Sequence, residues 1–254
     1  MSEFLNNFVY VLLAAFCYQA IAITLIYQVS KRSDFFCLAY GLDTAISLLS
    51  WIPWLAASFY AGKTGVLAAV VAQVLMIYVF NFVHGQIIHK QKGDTVKDAL
   101  NKVVGPLRNH LGLFVSLGAV PVFLILRFGE IVLYAPLRWI LGFPKYKEEE
   151  WINISRQKID GLVGHDMTWC LYCDWMTGVY SYGAEMLRNV ESFWCPLKFQ
   201  NDKKCENCKI DFPDIEKWVE ADGTIQDLHD LVLDKYSTDM NEPNPWFGHE
   251  SRKK

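Results

Sequence analysis

The first half of the chain consists of long apolar runs separated by short polar steps. The runs cover roughly residues 8–29, 35–60 and 66–83, and a fourth apolar stretch covers 111–143. In a helix that rises 1.5 Å per residue, each of the first three is long enough to cross a hydrocarbon core of about 30 Å. The pattern therefore predicts a bundle of membrane-spanning helices.

The fourth stretch is interrupted by charge at Arg127-Phe128-Gly129-Glu130, which allows two interpretations. It is either one span followed by an interfacial helix, or two short spans that form a hairpin around Gly129, with Pro121 and Pro136 bending the arms. Basic residues are concentrated in the first loop, in the connector after the third run and after Phe143, as is typical of cytoplasmic segments. This distribution favours the hairpin, with the N-terminus outside and the C-terminal domain in the cytoplasm.

The polar remainder predicts short helices. An amphipathic helix on the membrane surface is expected at residues 96–107, a second helix at 179–193, and a third at 225–236 with Thr224 as its cap. The tail from Ser237 onward, which contains two prolines, is expected to be extended and to dock on another surface.

Together these patterns predict an all-α integral membrane protein. Residues 1–143 form a bundle of four to five transmembrane helices, and residues 144–254 form a small, water-facing, Cys-rich domain that is mainly helical or irregular. The first apolar run lacks the basic start of a secretory signal and continues past the usual signal length, so we expect an uncleaved first span. The formal net charge of -3 gives no reason to expect a nucleic-acid partner.

The most specific local motif is a pair of CxxC sequences, Cys170-Leu-Tyr-Cys173 and Cys205-Glu-Asn-Cys208. A CxxC turn lets two thiolates chelate one ion, and two such turns complete a tetrahedral site. The sequence therefore predicts one structural zinc ion on these four cysteines. The alternatives are a cysteine-ligated iron centre that includes Cys195 or His165, and a set of disulfides or free thiols. A loop histidine bonded to the backbone is the plainer expectation for His165.

Ionisable residues near the spans are the second candidate set. His84 and His89 close the third run and His110 opens the next; they are expected to meet lipid headgroups, with metal or haem ligation as the alternative. Asp43 lies inside the second run, where a carboxylate needs a partner or a polar cavity. We expect it to join helices by hydrogen bonding, with Gln19, Gln73 or Asn81 available, or else to line a proton path.

None of the common catalytic motifs occurs in the sequence: there is no phosphate-binding glycine loop, nucleophile elbow or H-E-x-x-H. Whether the protein is an enzyme therefore stays open. The sequence favours an accessory or assembly subunit of a membrane complex, contacting lipid and other subunits, with a zinc-stapled C-terminal domain. The alternatives are a membrane redox protein with a Cys-ligated iron centre and a small proton-coupled transporter that uses Asp43.

Overall fold

A computed structural model describes residues 2–30, 32–88, 95–143, 145–154, 164–211 and 215–235. These residues are helical apart from short connections and two isolated β-bridges. The helices are α1 (Ser2–Ser30), α2 (Ala39–Leu49), α3 (Trp51–Ile88), α4 (Val96–Val104), α5 (Pro106–Leu117), α6 (Val120–Leu141), α7 (Glu148–Trp151), α8 (Gly164–Trp194), α9 (Asp202–Asp211) and α10 (Ile225–Lys235). Short 3-10 helices cover Asp34–Cys37 and Ile215–Lys217.

Three helical stretches of the described chain are long and apolar enough to cross a membrane: Glu3–Ser30, Ala39–Gln86 and Pro106–Leu141. The first two cover most of the first three apolar runs of the sequence, and the third covers most of the fourth. Many of their large apolar side chains are exposed, as expected of surfaces that face lipid instead of water. The predicted helices, long and apolar enough to cross a membrane, are thus present in the described chain.

The second of these stretches reverses direction near its middle. Within α3, Ala61 and Gly62 leave helical geometry, and Gly62 adopts φ 53° and ψ -136°. The Trp54 indole then donates to Gln73 Oε1 at 3.0 Å, and Gln73 Nε2 donates to the Leu49 carbonyl at 2.9 Å. These bonds pair residues on either side of the turn, so α3 is a helical hairpin whose tip is the predicted loop between the second and third runs.

The contact between α1 and α3 is made by small side chains. Its buried core consists of Val11, Ala15, Ala57, Ala68, Ala69 and Ala72. Alanine at a helix interface lets the two backbones approach closely, which strengthens van der Waals packing where lipid supplies little hydrophobic driving force. Close packing of this kind fixes the positions of the polar side chains farther along both helices.

The charged step at Arg127–Glu130 does not interrupt the helix. Residues Val120–Leu141 form one continuous helix, so the hairpin predicted around Gly129 is wrong. Arg127 Nη1 lies 3.1 Å from Glu130 Oε2, and both side chains are buried. Because the spacing of three residues pairs the two charges on one helix face, the helix accommodates both without a turn.

The described chain divides into two compact units: residues 1–124 with 148–179, and residues 125–147 with 180–254. The division proposed from hydrophobicity at residue 143 is a different one and stays a prediction. Helices α6 and α8 each contribute to both units.

In the first unit, residues after α6 pair with the loop between α1 and α2. Leu38 forms an antiparallel bridge with Asn153, Ala39 N donates to the Ile152 carbonyl at 2.8 Å, and Ile154 N donates to the Cys37 carbonyl at 2.9 Å. The Tyr40 hydroxyl adds a bond of 2.7 Å to Glu148. The chain after α7 is therefore tied to the end of the bundle that carries the first loop.

The second unit contains aromatic packing and short polar helices. Phe143 contacts Tyr134, Phe193 and Trp194. Helix α10 begins with a capping box, in which Thr224 and Asp227 exchange hydrogen bonds, as predicted for Thr224. The expected helix at residues 179–193 is the second half of α8. The surface helix appears in the first unit as α4, also with a capping box. The tail from Ser237 lies outside the described residues.

Candidate functional site

The first half of α8 brings several of the candidate residues to one end of the α1–α3 bundle. The Thr168 hydroxyl donates to Asn81 Oδ1 at 3.1 Å, and Gly164 approaches the Asn81 backbone so closely that a Cβ would lie 2.6 Å from its Cα. Farther along, a Cβ at Gly178 would lie 2.6 Å from the Trp151 carbonyl oxygen. The small residues at both ends of this segment let α8 lie directly against its neighbours.

Asp43 is held by this segment. The Trp175 indole, which is fully buried, donates to Asp43 Oδ1 at 2.8 Å. Two of the three partners expected from the sequence are used elsewhere: Gln73 bonds to Trp54 and Leu49, and Asn81 bonds to Thr168. Asp43 therefore joins α2 to α8, across 132 residues of sequence.

An apolar cavity of about 230 Å³ lies between α8 and the bundle. Most of its wall is aliphatic, aromatic or sulfur-containing, with contributions from four helices and the loop after α1. Its lining residues include Gln19 and Ile23 of α1, Ala45 of α2, Gln73 and Met76 of α3, and Met167 and Tyr172 of α8. A cavity of about 150 Å³ lined by such groups is known to stay dry and to bind benzene, so this one has room for a larger apolar molecule.

Two polar groups at this cavity are already partnered with one another. Tyr172 is hydrogen-bonded to Gln73. Burial raises the pKa of Tyr172 to about 12, and the bond to Gln73 only partly offsets this, so the phenol stays neutral at physiological pH.

Gln19 is different. Its side chain is 1% exposed, yet its amide nitrogen has no hydrogen-bond partner among the described residues. A buried amide without a partner costs roughly 1–3 kcal/mol, so such a group commonly marks a place where a ligand or water completes the bonding. Gln19 thus gives the apolar cavity one unused donor.

A second, more polar cavity of about 410 Å³ lies beside the start of α8. Its wall includes Asn81, Lys97, Asp98, His110 and His165. The rings of His110 and His165 are 5.5 Å apart between centroids. His165 is in a helix and 7% exposed, and neither ring nitrogen has a hydrogen-bond partner in the described chain, so the expected loop histidine bonded to backbone is wrong.

The other histidines of the candidate set are placed as follows. His84 lies in α3, where its ring packs against Phe80, and His89 lies outside the described residues. His110 pairs with His165, a residue 55 positions away in sequence. That pairing has no signal in the local sequence, because it depends on where α8 is placed against α5.

The cysteines predicted to bind zinc are found in helices instead of turns. Cys170 and Cys173 belong to α8 in the first unit, and Cys205 and Cys208 belong to α9 in the second. Cys173 and Cys195 are free thiols. Within the described side chains, which exclude Cys205 and Cys208, no cluster of three or more His, Cys, Asp or Glu groups has metal-binding geometry. The four-cysteine zinc site stays a prediction.

The second unit contains a buried polar cluster. In the sequence, two of its members, Arg127 and Glu130, were visible only as charges that interrupt the fourth apolar stretch. Arg127 pairs with Glu130 and lies over the Tyr182 ring. Nearby, Glu185 accepts from Tyr146 at 3.2 Å and from Arg188 at 2.7 Å, while Asn189 Nδ2 donates to the Tyr146 hydroxyl at 2.7 Å. These bonds pair opposite charges and polar side chains from separate segments of the chain, as in clusters that join helices.

Comparison with protein-family models, with curated proteins and with solved structures finds no match for this chain.

Proposed function

We propose that this protein is a membrane-embedded binding protein for a small, lipid-soluble molecule that carries an oxygen acceptor, such as a carbonyl. The observation that supports this most directly is the apolar cavity with the unpartnered Gln19 amide. An apolar pocket with few convergent polar groups is the usual form of a small-molecule site. The apolar wall selects lipid-soluble molecules, and the Gln19 donor selects those with an oxygen.

The placement of the cavity agrees with delivery of the ligand through the bilayer. Helices α1, α2 and α3, which supply most of its wall, belong to stretches long and apolar enough to cross a membrane. The α8 residues Met167 and Tyr172 close the cavity on another side. A molecule dissolved among lipid chains would reach this cavity without passing through water.

Benzophenone is a suitable probe, because it is apolar, carries one carbonyl and cross-links to nearby C–H groups on irradiation. Methionine side chains react readily, and the cavity presents Met76 and Met167. We expect saturable labelling of these two methionines in membranes that contain the full-length protein. Ala45→Phe, which fills the cavity from α2, should abolish it.

The contribution of Gln19 is tested by Gln19→Leu, with Thr24→Val as the matched control. Thr24 lies on the same helix and is exposed, and within the described part of the chain its hydroxyl bonds only to the Ala20 carbonyl. Loss of one hydrogen bond of about 1 kcal/mol should weaken labelling roughly fivefold in Gln19→Leu and leave Thr24→Val unchanged. Labelling of Met76 and Met167 that is insensitive to both Gln19→Leu and Ala45→Phe would contradict the proposal.

The membrane topology is also a proposal. Within the first two apolar stretches, Glu3–Ser30 and Ala39–Gln86, we infer three crossings: α1, then α2 with the first arm of α3, then the second arm of α3, with the turn at Gly62 outside. The basic first loop favours the cytoplasm for the opposite end of the bundle. Because Cys37 and Ala39 hydrogen-bond to residues 152–154, the chain after α7 is assigned to that same cytoplasmic side.

A further inference from the structure

We propose that His110 and His165 bind a divalent transition-metal ion of the zinc class in the polar cavity, separately from the apolar site. Imidazole nitrogens suit zinc, copper and nickel. Two imidazoles on one tetrahedral ion, with metal–nitrogen bonds of about 2.0–2.1 Å, place their ring centres roughly 5 Å apart. The observed separation of 5.5 Å is close to that value.

The hydrogen bonding of His110 leaves its Nε2 available to bind a metal ion. Its Nδ1 lies 2.7 Å from the Pro106 carbonyl oxygen, which accepts but cannot donate. Nδ1 must therefore carry the proton, and Nε2 keeps its lone pair. A backbone carbonyl that fixes the tautomer in this way is a usual outer partner of metal-binding histidines.

His165 has a corresponding outer partner, the carboxylate of Asp166. Its Nδ1 lies 3.5 Å from Asp166 Oδ1, too long for a hydrogen bond but close enough to tighten into one. Its ring is buried without any hydrogen bond among the described residues, which is costly unless something fills the vacant acceptor. A metal ion on Nε2, with the proton of Nδ1 directed at Asp166, satisfies both nitrogens.

The cavity leaves the remaining coordination positions to water. Asp98 lines it too, but its Oδ2 already accepts from the backbone and hydroxyl of Thr95. Lys97 is the other charged group in its wall, and its charge offsets that of Asp98. The site is therefore open, with two protein ligands and about 410 Å³ of adjacent space, unlike a closed structural zinc site.

The test is titration of the purified full-length protein with Zn²⁺ by calorimetry and with Co²⁺ by absorption. We expect one ion whose affinity falls at least about a hundredfold in His110→Gln and in His165→Gln, and about tenfold in Asp166→Asn, the outer partner. His229→Gln, on the exposed face of α10, is the control and should bind as the unmodified protein does.

The Co²⁺ spectrum separates this site from the cysteines. Thiolate ligation adds an intense near-ultraviolet charge-transfer band, whereas histidine and water ligation gives only weak visible bands. Weak bands that disappear in His110→Gln support the proposal. A spectrum with thiolate bands only, or Zn²⁺ affinity unchanged in both His110→Gln and His165→Gln, would overturn it. If His165→Gln fails to fold, His110→Gln alone decides, because His110 is only partly buried.

Discussion

Asp43 lies in the second turn of α2 and accepts a hydrogen bond from a tryptophan indole that is itself completely buried. Polar residues within apolar helices need such partners, since the bilayer supplies none. The sequence correctly indicated that Asp43 joins helices, but it could not indicate Trp175. The partner comes from a helix that the sequence assigned to a separate water-facing domain.

Substitutions at Asp43 should distinguish the contribution of its hydrogen bond to stability from the contribution of its charge. Asparagine keeps an acceptor oxygen, so Asp43→Asn should cost less than about 1 kcal/mol of unfolding free energy, whereas Asp43→Leu leaves the Trp175 N–H without this acceptor and should cost roughly 1–3 kcal/mol. Unfolding in detergent micelles, followed by tryptophan fluorescence, measures both. Equal stability of Asp43→Leu and the unmodified protein would show that the bond contributes nothing. Loss of pH-dependent uptake by a folded Asp43→Asn variant would instead favour the transporter.

The Arg127–Glu130 pair makes a second prediction at the residue scale. Removing one charge takes from the other, which is buried, its partner at 3.1 Å, while removing both leaves two apolar side chains of similar length. We therefore expect Arg127→Met and Glu130→Met each to destabilise the protein by about 3 kcal/mol, and the double variant to be more stable than either single one. The same unfolding measurement completes the cycle. Additive losses in the double variant would mean that the two charges act independently.

At the scale of elements, the sequence predicted the length and apolar character of the helices, but it predicted the positions of the turns only in part. The turn at Gly62 follows a change from apolar to small and polar residues. The turn expected at Gly129 rested on two charges, and it is absent because the charges pair with each other along the helix. Nothing in a single sequence distinguishes charges that end a helix from charges that pair within it.

Alanine at these two glycines should therefore have opposite effects. Gly129 has no neighbour within 4 Å of an added Cβ and lies in mid-helix, so Gly129→Ala should stabilise by about 0.5–1 kcal/mol. Gly62 has φ 53° and ψ -136°, which other residues rarely adopt, so Gly62→Ala should destabilise by roughly 1–3 kcal/mol although space is available. Gly85→Ala, in open space within α3, is the control for a benign substitution. Destabilisation by Gly129→Ala would restore the hairpin at that position.

At the scale of the whole molecule, the apolar pattern predicted a membrane bundle, but not that a segment after residue 143 would complete it. The first half of α8 supplies the partner of Asp43, part of the apolar cavity wall and one histidine of the polar cavity. Its composition, rich in cysteine, tryptophan and charge, suggested an independent domain. Its actual role depends on long-range contacts, which hydrophobic periodicity does not encode.

This arrangement makes a strict prediction about topology. Residues 152–154 hydrogen-bond to Cys37 and Ala39, so the first loop and the chain after α7 must share one side of the membrane, whatever path α5 and α6 take. We expect an epitope inserted at Ser33 and a reporter fused after Lys254 to be cytoplasmic, and an epitope inserted after Lys63 to be external. Accessibility to an impermeant antibody in intact cells, compared with permeabilised cells, measures all three. A cytoplasmic Ser33 epitope combined with an external C-terminal reporter would contradict the pairing of residues 37–39 with 152–154. It would also place the cysteines of α9 in an oxidising compartment, where disulfides would replace zinc as their expected state.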